Sequence, residues 1–343
     1  MKAIYSSQNM VPKPIDFDLP FQARAMSMIM RMIFLVSATV LLLGCGGGNS
    51  TSTPTSTLPP SPPTTSDPST PIVSVTFSNN AISKGLVFSS GYDAAFDEMP
   101  RYFAGGSASG DFDNDLDIDW FVASIAPNRL YENMDSVMIN NLSAGISQGA
   151  WGWGACLADF DMDGDLDIYH TNGWQSGAGD PAEPYTEDTS RLFINNGDKT
   201  FENQADAANI NDALQGRGVV CADFNGDRQI DILLTLNESD QAALLWLNQN
   251  ENANTLAIRL QGTGANTQGL GAKIIVTEAG QSQLRTINLN SNFTSHNPAV
   301  AYFGFETASS IDEISVLWPD GQESVMTNVS VNQSLSISHP DAP

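Results

Sequence analysis

Three stretches of this chain crowd carboxylates into nine residues with one shared spacing. They are "DFDNDLDID" from Asp111, "DFDMDGDLD" from Asp159 and "DFNGDRQID" from Asp223. Two unit charges about 4 Å apart repel by roughly 1 to 4 kcal/mol, depending on the local dielectric. Each stretch is flanked by apolar runs that read as strands, so any stable fold must compensate these charges locally. The surroundings repeat as well. Glycine-rich lead-ins ("FAGGSASG", "GAWGWGACLA", "GRGVVCA") precede the acids, and aromatic strands closing on Asn ("RLYEN", "RLFINNG", "LLWLN") follow them. A recurring unit of this length is a structural repeat. Its short strand-like runs, frequent turn residues and lack of a sustained helical period make the fold all-β.

The spacing identifies the compensating partner. In the second stretch, positions 1, 3, 5 and 9 are Asp159, Asp161, Asp163 and Asp167. Hard oxygen ligands in that number suit Ca²⁺, which takes six to eight of them. Gly164, at position 6, supplies the left-handed backbone that a tight wrap needs. Asp165, at position 7, would offer its main-chain carbonyl and point its side chain outward. The stretch resembles the start of an EF-hand loop, but Val122, His170 or Leu234 stands where that loop ends in Glu, and β-prone sequence follows. The first stretch offers Asp111, Asp113, Asp115, Asp117 and Asp119, with Leu116 in the glycine position, so its wrap must be strained or different. The third offers Asp223, Asn225, Asp227 and Asp231, with Arg228 at position 6 and a lower ligand charge. Affinity is expected to fall from the second loop to the other two. A plain acidic surface turn would not place oxygens at 1, 3, 5 and 9 three times over.

With loop and "RLFINNGDKTF" taken together, residues of roughly 75 to 250 resemble FG-GAP (VCBS-type) repeats, the calcium-loop blades of integrin-α-like β-propellers. The resemblance implies four-stranded blades with the acidic loop joining two strands. From about Asn252 the acidic loops stop. The remaining stretch resembles the ASPIC/UnbV domain, which accompanies such repeats in cartilage-acidic-protein-like chains. The matching elements are Asn266, Gly269 to Ala272, the segment from Ser291 to Asn297, "YFGF" at 302–305 and "LWPDG" at 317–321, with "NFTS" departing from the family's usual tyrosine-leucine. The expected architecture is a β-propeller-like array of FG-GAP blades (72–250) followed by an ASPIC/UnbV-like β-domain (251–343). Three loop-bearing units cannot close a six- or seven-bladed ring. Either the C-terminal strands supply further blades or an open array is capped by a sandwich, and bare sheet edges argue for the former.

The N-terminus reads as targeting sequence. "IFLVSATVLLL" follows Arg31 and ends at "LLGC", which resembles a bacterial lipobox with Cys45 as the lipidated residue; residues 1–44 would then be a signal peptide, of which 1–25 precede the alternative starts at Met26 to Met32. Residues 45–71, rich in Ser, Thr, Pro and Gly, form a tether. Gly46, not Asp, follows the cysteine, so by family analogy the expected location is the outer membrane or cell surface, with a lipid anchor through Cys45. The compartment is oxidising. Cys156 and Cys221 nevertheless lie three and two residues ahead of their acidic loops, which points them to opposite faces of equivalent strands; two buried free thiols are the expectation.

Acids outnumber bases 39 to 14, giving a formal charge of −25, which excludes nucleic acid and anionic lipid as direct partners. No catalytic constellation emerges: "GGSASG" misses the GxSxG register, "GTGANTQGLGAK" lacks the strand-to-helix context of a nucleotide site, and His170 and His296 read as structural and loop residues. The second repeat carries an insertion, "NGWQSGAGDPAEPYTEDTS", whose Trp174 and Tyr185 make it the candidate ligand-contact surface. The expectation is a membrane-anchored, calcium-binding extracytoplasmic binding or adhesion module for a protein or glycan. The alternative is an exported polysaccharide hydrolase or lyase using carboxylates outside the loops.

Overall fold

The computed structural model describes residues 78–86, 105–125, 127–174, 188–210, 212–237, 241–250, 254–289 and 292–342. The lipobox, the tether and Tyr185 lie outside them. Among the described residues the only helical element is a 3₁₀ turn at Ile82–Lys84, and no helix is long and apolar enough to cross a membrane.

Eighteen strands among the described residues form five sheets. The first sheet is a meander of β1 (Ser107–Gly110), β2 (Asp119–Val122), β3 (Arg129–Met134) and β4 (Val137–Asn140), and the second repeats it with β5 (Gly152–Ala158), β6 (Asp167–Asn172), β7 (Arg191–Asn195) and β8 (Phe201–Asn203). The third has three strands, β9 (Gly216–Ala222), β10 (Asp231–Leu236) and β11 (Leu244–Trp246). In each, the acidic loop connects the first strand to the second, and it ends by pairing Gly110 with Asp119, Ala158 with Asp167 and Ala222 with Asp231.

The C-terminal strands supply two further sheets. One sets β12 (Asn254–Gln261) between β15 (Ala301–Phe305) and β18 (Gln333–Ser338), the last in a parallel pairing. The other orders β14 (Gln281–Thr286), β13 (Lys273–Glu278), β16 (Ser310–Leu317) and β17 (Glu323–Ser330). The strands β1, β5 and β9 neighbour one another in turn, and β14 touches both β15 and β1. Tyr302 of β15 accepts the Asp223 N–H through its hydroxyl. The five sheets are thus five blades of a closed propeller, and the first of the two architectures anticipated for the C-terminal strands is the one observed.

Closing a ring of five forces the inner strands together, and this accounts for the glycine-rich lead-ins. A Cβ on Gly106 would lie 1.9 Å from the Trp153 carbonyl oxygen, and one on Gly154 would lie 2.4 Å from that of Arg217. Between blades the core is apolar. Phe112, Phe121, Leu130, Ile168 and Phe193 fill the first interface, and Tyr169, Leu192, Val219 and Ile232 fill the second. The last two blades enclose the largest core, around Phe303, Ile314 and Trp318. Burial of such side chains stabilises by roughly 1.5 to 3 kcal/mol each.

The two cysteines form a disulfide, with Cα atoms 6.5 Å apart, which corrects the expectation of free thiols. Opposite orientation on equivalent strands keeps two side chains apart only within one sheet. In a propeller, β5 and β9 belong to neighbouring blades, and opposite faces of neighbouring blades look at one another. The one-residue offset is therefore the arrangement that allows the bond.

Candidate metal centre

Each acidic loop is wound the same way. The carboxylate at position 1 accepts the backbone N–H groups of positions 5 and 6: Asp111 from Asp115 and Leu116, Asp159 from Asp163 and Gly164, and Asp223 from Asp227 and Arg228, at 2.9 to 3.2 Å. The carboxylate at position 9 accepts the N–H of position 2, at 3.0, 2.8 and 2.8 Å for Asp119, Asp167 and Asp231. Its other oxygen accepts an N–H from the third strand or its end, that of Asn133, Asn195 or Asn248, at 2.8 Å in all three blades. The backbone at position 6 is left-handed throughout: Leu116 has φ 71°, Gly164 φ 109° and Arg228 φ 71°. The first and third loops therefore keep the common wrap and carry strain in it.

This winding turns carboxylates inward. Asp111, Asp119, Asp159, Asp167 and Asp231 have no exposed surface. Burial raises Asp111, Asp119 and Asp159 to about 7 and Asp161 to about 6, and lifts Asp167 well above the usual range. Carboxylate oxygens of Asp159, Asp161 and Asp167 converge to within 4.8 Å of one another, as do those of Asp111, Asp113 and Asp115. These clusters, in which Asp111, Asp159 and Asp167 are buried and Asp115 and Asp161 exposed, fit a hard divalent cation in donor type and charge. The third loop forms no such cluster among the described residues. There Asn225 turns its amide onto Asp227, donating to Oδ2 at 2.7 Å and accepting the Asp227 N–H at 3.1 Å.

Several side chains that brace the loops had no assigned role in the sequence. Asn195 Nδ2 donates to the Leu166 carbonyl of its own loop and to the Phe112 carbonyl of the preceding one; Asn248 Nδ2 does the same with Ile230 and Phe160. The repeated terminal Asn was the available signal. Asp165 turns its side chain away from its own loop, its Oδ1 accepting from Asn114 Nδ2 at 2.6 Å, and so joins the first two loops. Lys199 pairs with Asp113 at 2.7 Å and with Glu132. From the C-terminal blades, Arg285 donates to the Gly164 carbonyl at 3.0 Å and Gly304 N–H donates to Asp159 Oδ2 at 3.0 Å. Nothing local in the sequence announces these last two contacts.

The expected ligand surface is built differently. Trp174 is half-buried, its ring 4.7 Å from that of Trp151 and 5.9 Å from that of Trp153, with Arg217 over Trp153 at 4.0 Å. This stack lies at the start of β5, and the acidic loop at its end. Asp188 pins the insertion's base through Asn172, Arg191 and the Trp151 N–H. His170 is buried between Phe121 and Phe193 and lowered to about 3 by desolvation, a neutral core residue. His296 is exposed.

A family model described as FG-GAP-like repeat matches residues 111–170 and 182–234, and one described as ASPIC and UnbV matches residues 262–343. Cartilage acidic protein 1 of Homo sapiens is 29% identical over 262 residues, covering 70% of this chain and 37% of that protein. The Mus musculus protein of that name is 28% identical over 261 residues, covering 70% and 38%, and the Xenopus tropicalis one 26% over 199 residues, covering 53% and 28%. The chain thus spans less than two-fifths of the length of the curated relatives it matches. Repeated acidic loops, a five-bladed ring and two matching family models lead to one assignment: the chain carries FG-GAP-like repeats followed by an ASPIC and UnbV domain.

Proposed function

We propose that the chain is a calcium-binding, extracytoplasmic binding or adhesion module, held to a membrane by a lipid on Cys45 and presenting its propeller to a protein or glycan. The observation that carries this reading is the convergence of Asp159, Asp161 and Asp167, two of them without exposed surface, in a loop wound around position 1. Asp159, Asp161, Asp163, Asp167 and the Asp165 carbonyl would hold the ion in the second loop. Asp111, Asp113, Asp115, Asp119 and the Asp117 carbonyl would hold it in the first. The ion supplies positive charge where burial would otherwise require protons.

The second loop is the stronger site in this account. It wraps through Gly164, whereas the first must hold Leu116 in the same conformation and already engages Asp113 with Lys199. The third, with its amide closed onto Asp227, is the weakest. Calorimetric titration of the metal-free full chain with Ca²⁺ tests this order. Asp161→Asn should abolish the tightest binding event and Asp113→Asn a weaker one; a wild-type chain that takes up no Ca²⁺ would overturn the reading. Labelling with a fatty acid in a bacterial host, compared between wild type and Cys45→Ala, tests the anchor.

A further inference from the structure

The third acidic loop, the poorest of the three as a metal site, forms one wall of a cleft of about 650 Å³. Its lining is dominated by carboxamides, among them Asn225, Gln229, Gln249, Asn250 and Asn332, with one carboxylate, Asp227, and one guanidinium, Arg228. Each carboxamide offers two donor hydrogens and an acceptor oxygen on one planar group. Many of these groups are already engaged: Asn250 donates to the Asp161 carbonyl, Asn332 to Asn254, and Arg228 Nε to Thr255 at 3.1 Å. Gln229 is not. It is 7% exposed, and its Oε1 is buried with no hydrogen-bond partner. A buried acceptor left unpaired costs on the order of 1 to 3 kcal/mol, which a ligand donor at this position would recover.

Across the ridge of Asn248 to Asn250, which lines both spaces, lies a second cleft of about 600 Å³. Its walls combine apolar side chains, Ile194, Ile210, Ile232 and the ring of Trp246, whose Nε1–H also lacks a partner, with polar ones that include Gln204, Asn209 and Asp161 of the second loop. The combination is a rim of paired donors and acceptors beside an aromatic face.

We propose that this ridge and its two clefts are a binding site for a neutral saccharide chain, whose hydroxyls engage Gln229 and the neighbouring carboxamides while an apolar ring face packs against Trp246. Sugar hydroxyls donate and accept at once, as carboxamides do, and sugar rings carry C–H faces that suit an indole. A polyanion is disfavoured by Asp227 and by the formal charge of −25. The proposal rests on the binding-module reading above and names its ligand class. It places the ligand over the third blade, with the carboxamide cleft toward the fourth blade and the Trp246 cleft toward the second, away from Trp174.

The test uses the full chain with Ca²⁺ present and, as probes, maltotetraose, cellotetraose, laminaritetraose and chitotetraose, with a neutral peptide of mixed sequence as the competing class. Titration should detect at least one saccharide at micromolar to millimolar concentration. Gln229→Ala should weaken it about tenfold, the order of one lost hydrogen bond to a buried group, and Gln249→Ala about threefold, the order of one at an exposed group, with the melting temperature unchanged for Gln249→Ala. Gln249 is exposed and bonds only to neighbouring carbonyls, so that variant decides the matter even if Gln229→Ala folds poorly. Saccharide binding that neither variant disturbs, the absence of any saccharide binding, or peptide binding lost in the same variants would overturn the proposal. Ca²⁺ titration of the same preparations reports separately on the loops, so failure here is distinguishable from failure of the metal reading.

Discussion

The backbone N–H of Gly304 donates to Asp159 Oδ2 at 3.0 Å across 145 residues of sequence. That oxygen also accepts from Gly164 N–H, so one carboxylate ties the second loop to itself and to the fourth blade. Arg285 of the fifth blade reaches the Gly164 carbonyl of the same loop. The ASPIC and UnbV strands are therefore structural parts of the second acidic loop, as well as the blades that close the ring.

A Cβ at residue 304 would lie 2.3 Å from Met162 Cα and 2.5 Å from Asp159 Oδ2. Neither atom belongs to a flexible chain end. Gly304→Ala should destabilise the protein by roughly 1 to 3 kcal/mol, the usual cost of overpacking, and weaken Ca²⁺ binding at the second loop. Chemical denaturation and calorimetry read the two effects. Wild-type values for both would show that this approach is not needed.

Asn195 fills two buried carbonyls on adjacent blades, and Asn133 only one, the Ile118 carbonyl of its own loop at 3.3 Å. Asn195→Ala should cost about 1 to 3 kcal/mol by leaving buried carbonyls unpaired, and Asn133→Ala clearly less. Urea midpoints of the two variants, compared at equal slope, check the ranking.

Leu116 holds φ 71° where the second loop has glycine. Leu116→Gly removes a side chain that is already partly exposed and relieves a left-handed backbone. The gain is offset by the greater freedom of glycine in the unfolded chain, leaving an expected stabilisation of up to about 1 kcal/mol. Tighter Ca²⁺ binding by the first loop should accompany it. A loss of stability would mean that Leu116 packs usefully despite its backbone.

Burial, the dominant cause, raises Asp111, Asp119 and Asp159 to about 7 and Asp161 to about 6. In the unfolded chain these groups titrate near 4. Between those values the folded chain holds protons that the unfolded chain has released, so metal-free stability should fall as pH rises from about 4 to about 7. Saturating Ca²⁺ should flatten that fall by replacing the protons. Melting curves across this range, with chelator and with Ca²⁺, measure both slopes; equal slopes would contradict the account.

Much of the blade architecture is legible because it is local. The spacing of Asp159, Asp161, Asp163 and Asp167, the lead-in glycines and the terminal Asn all fall within one repeat, and each has a counterpart in the other two. What stayed hidden is long-range. Arg285 and Gly304 act on a loop more than a hundred residues earlier, and only closure of the ring brings them there. The Cys156–Cys221 bond is hidden for the same reason: the offset between the two residues separates them within one sheet and brings them together only between two blades. The stacking of Trp174 on Trp151 is hidden as well, since it depends on where β5 begins and the polar sequence around Trp174 does not show it.

The central claim is that a divalent cation, and not protonation, stabilises the inward-facing carboxylates of the first two loops. The most direct measurement is the melting temperature of the full chain near neutral pH, first stripped with chelator and then titrated with Ca²⁺, alongside Asp159→Asn. The account predicts a clear loss of stability on stripping, saturable recovery with Ca²⁺, and little recovery in the variant. A stripped wild-type chain that melts at its original temperature and ignores added Ca²⁺ would contradict it.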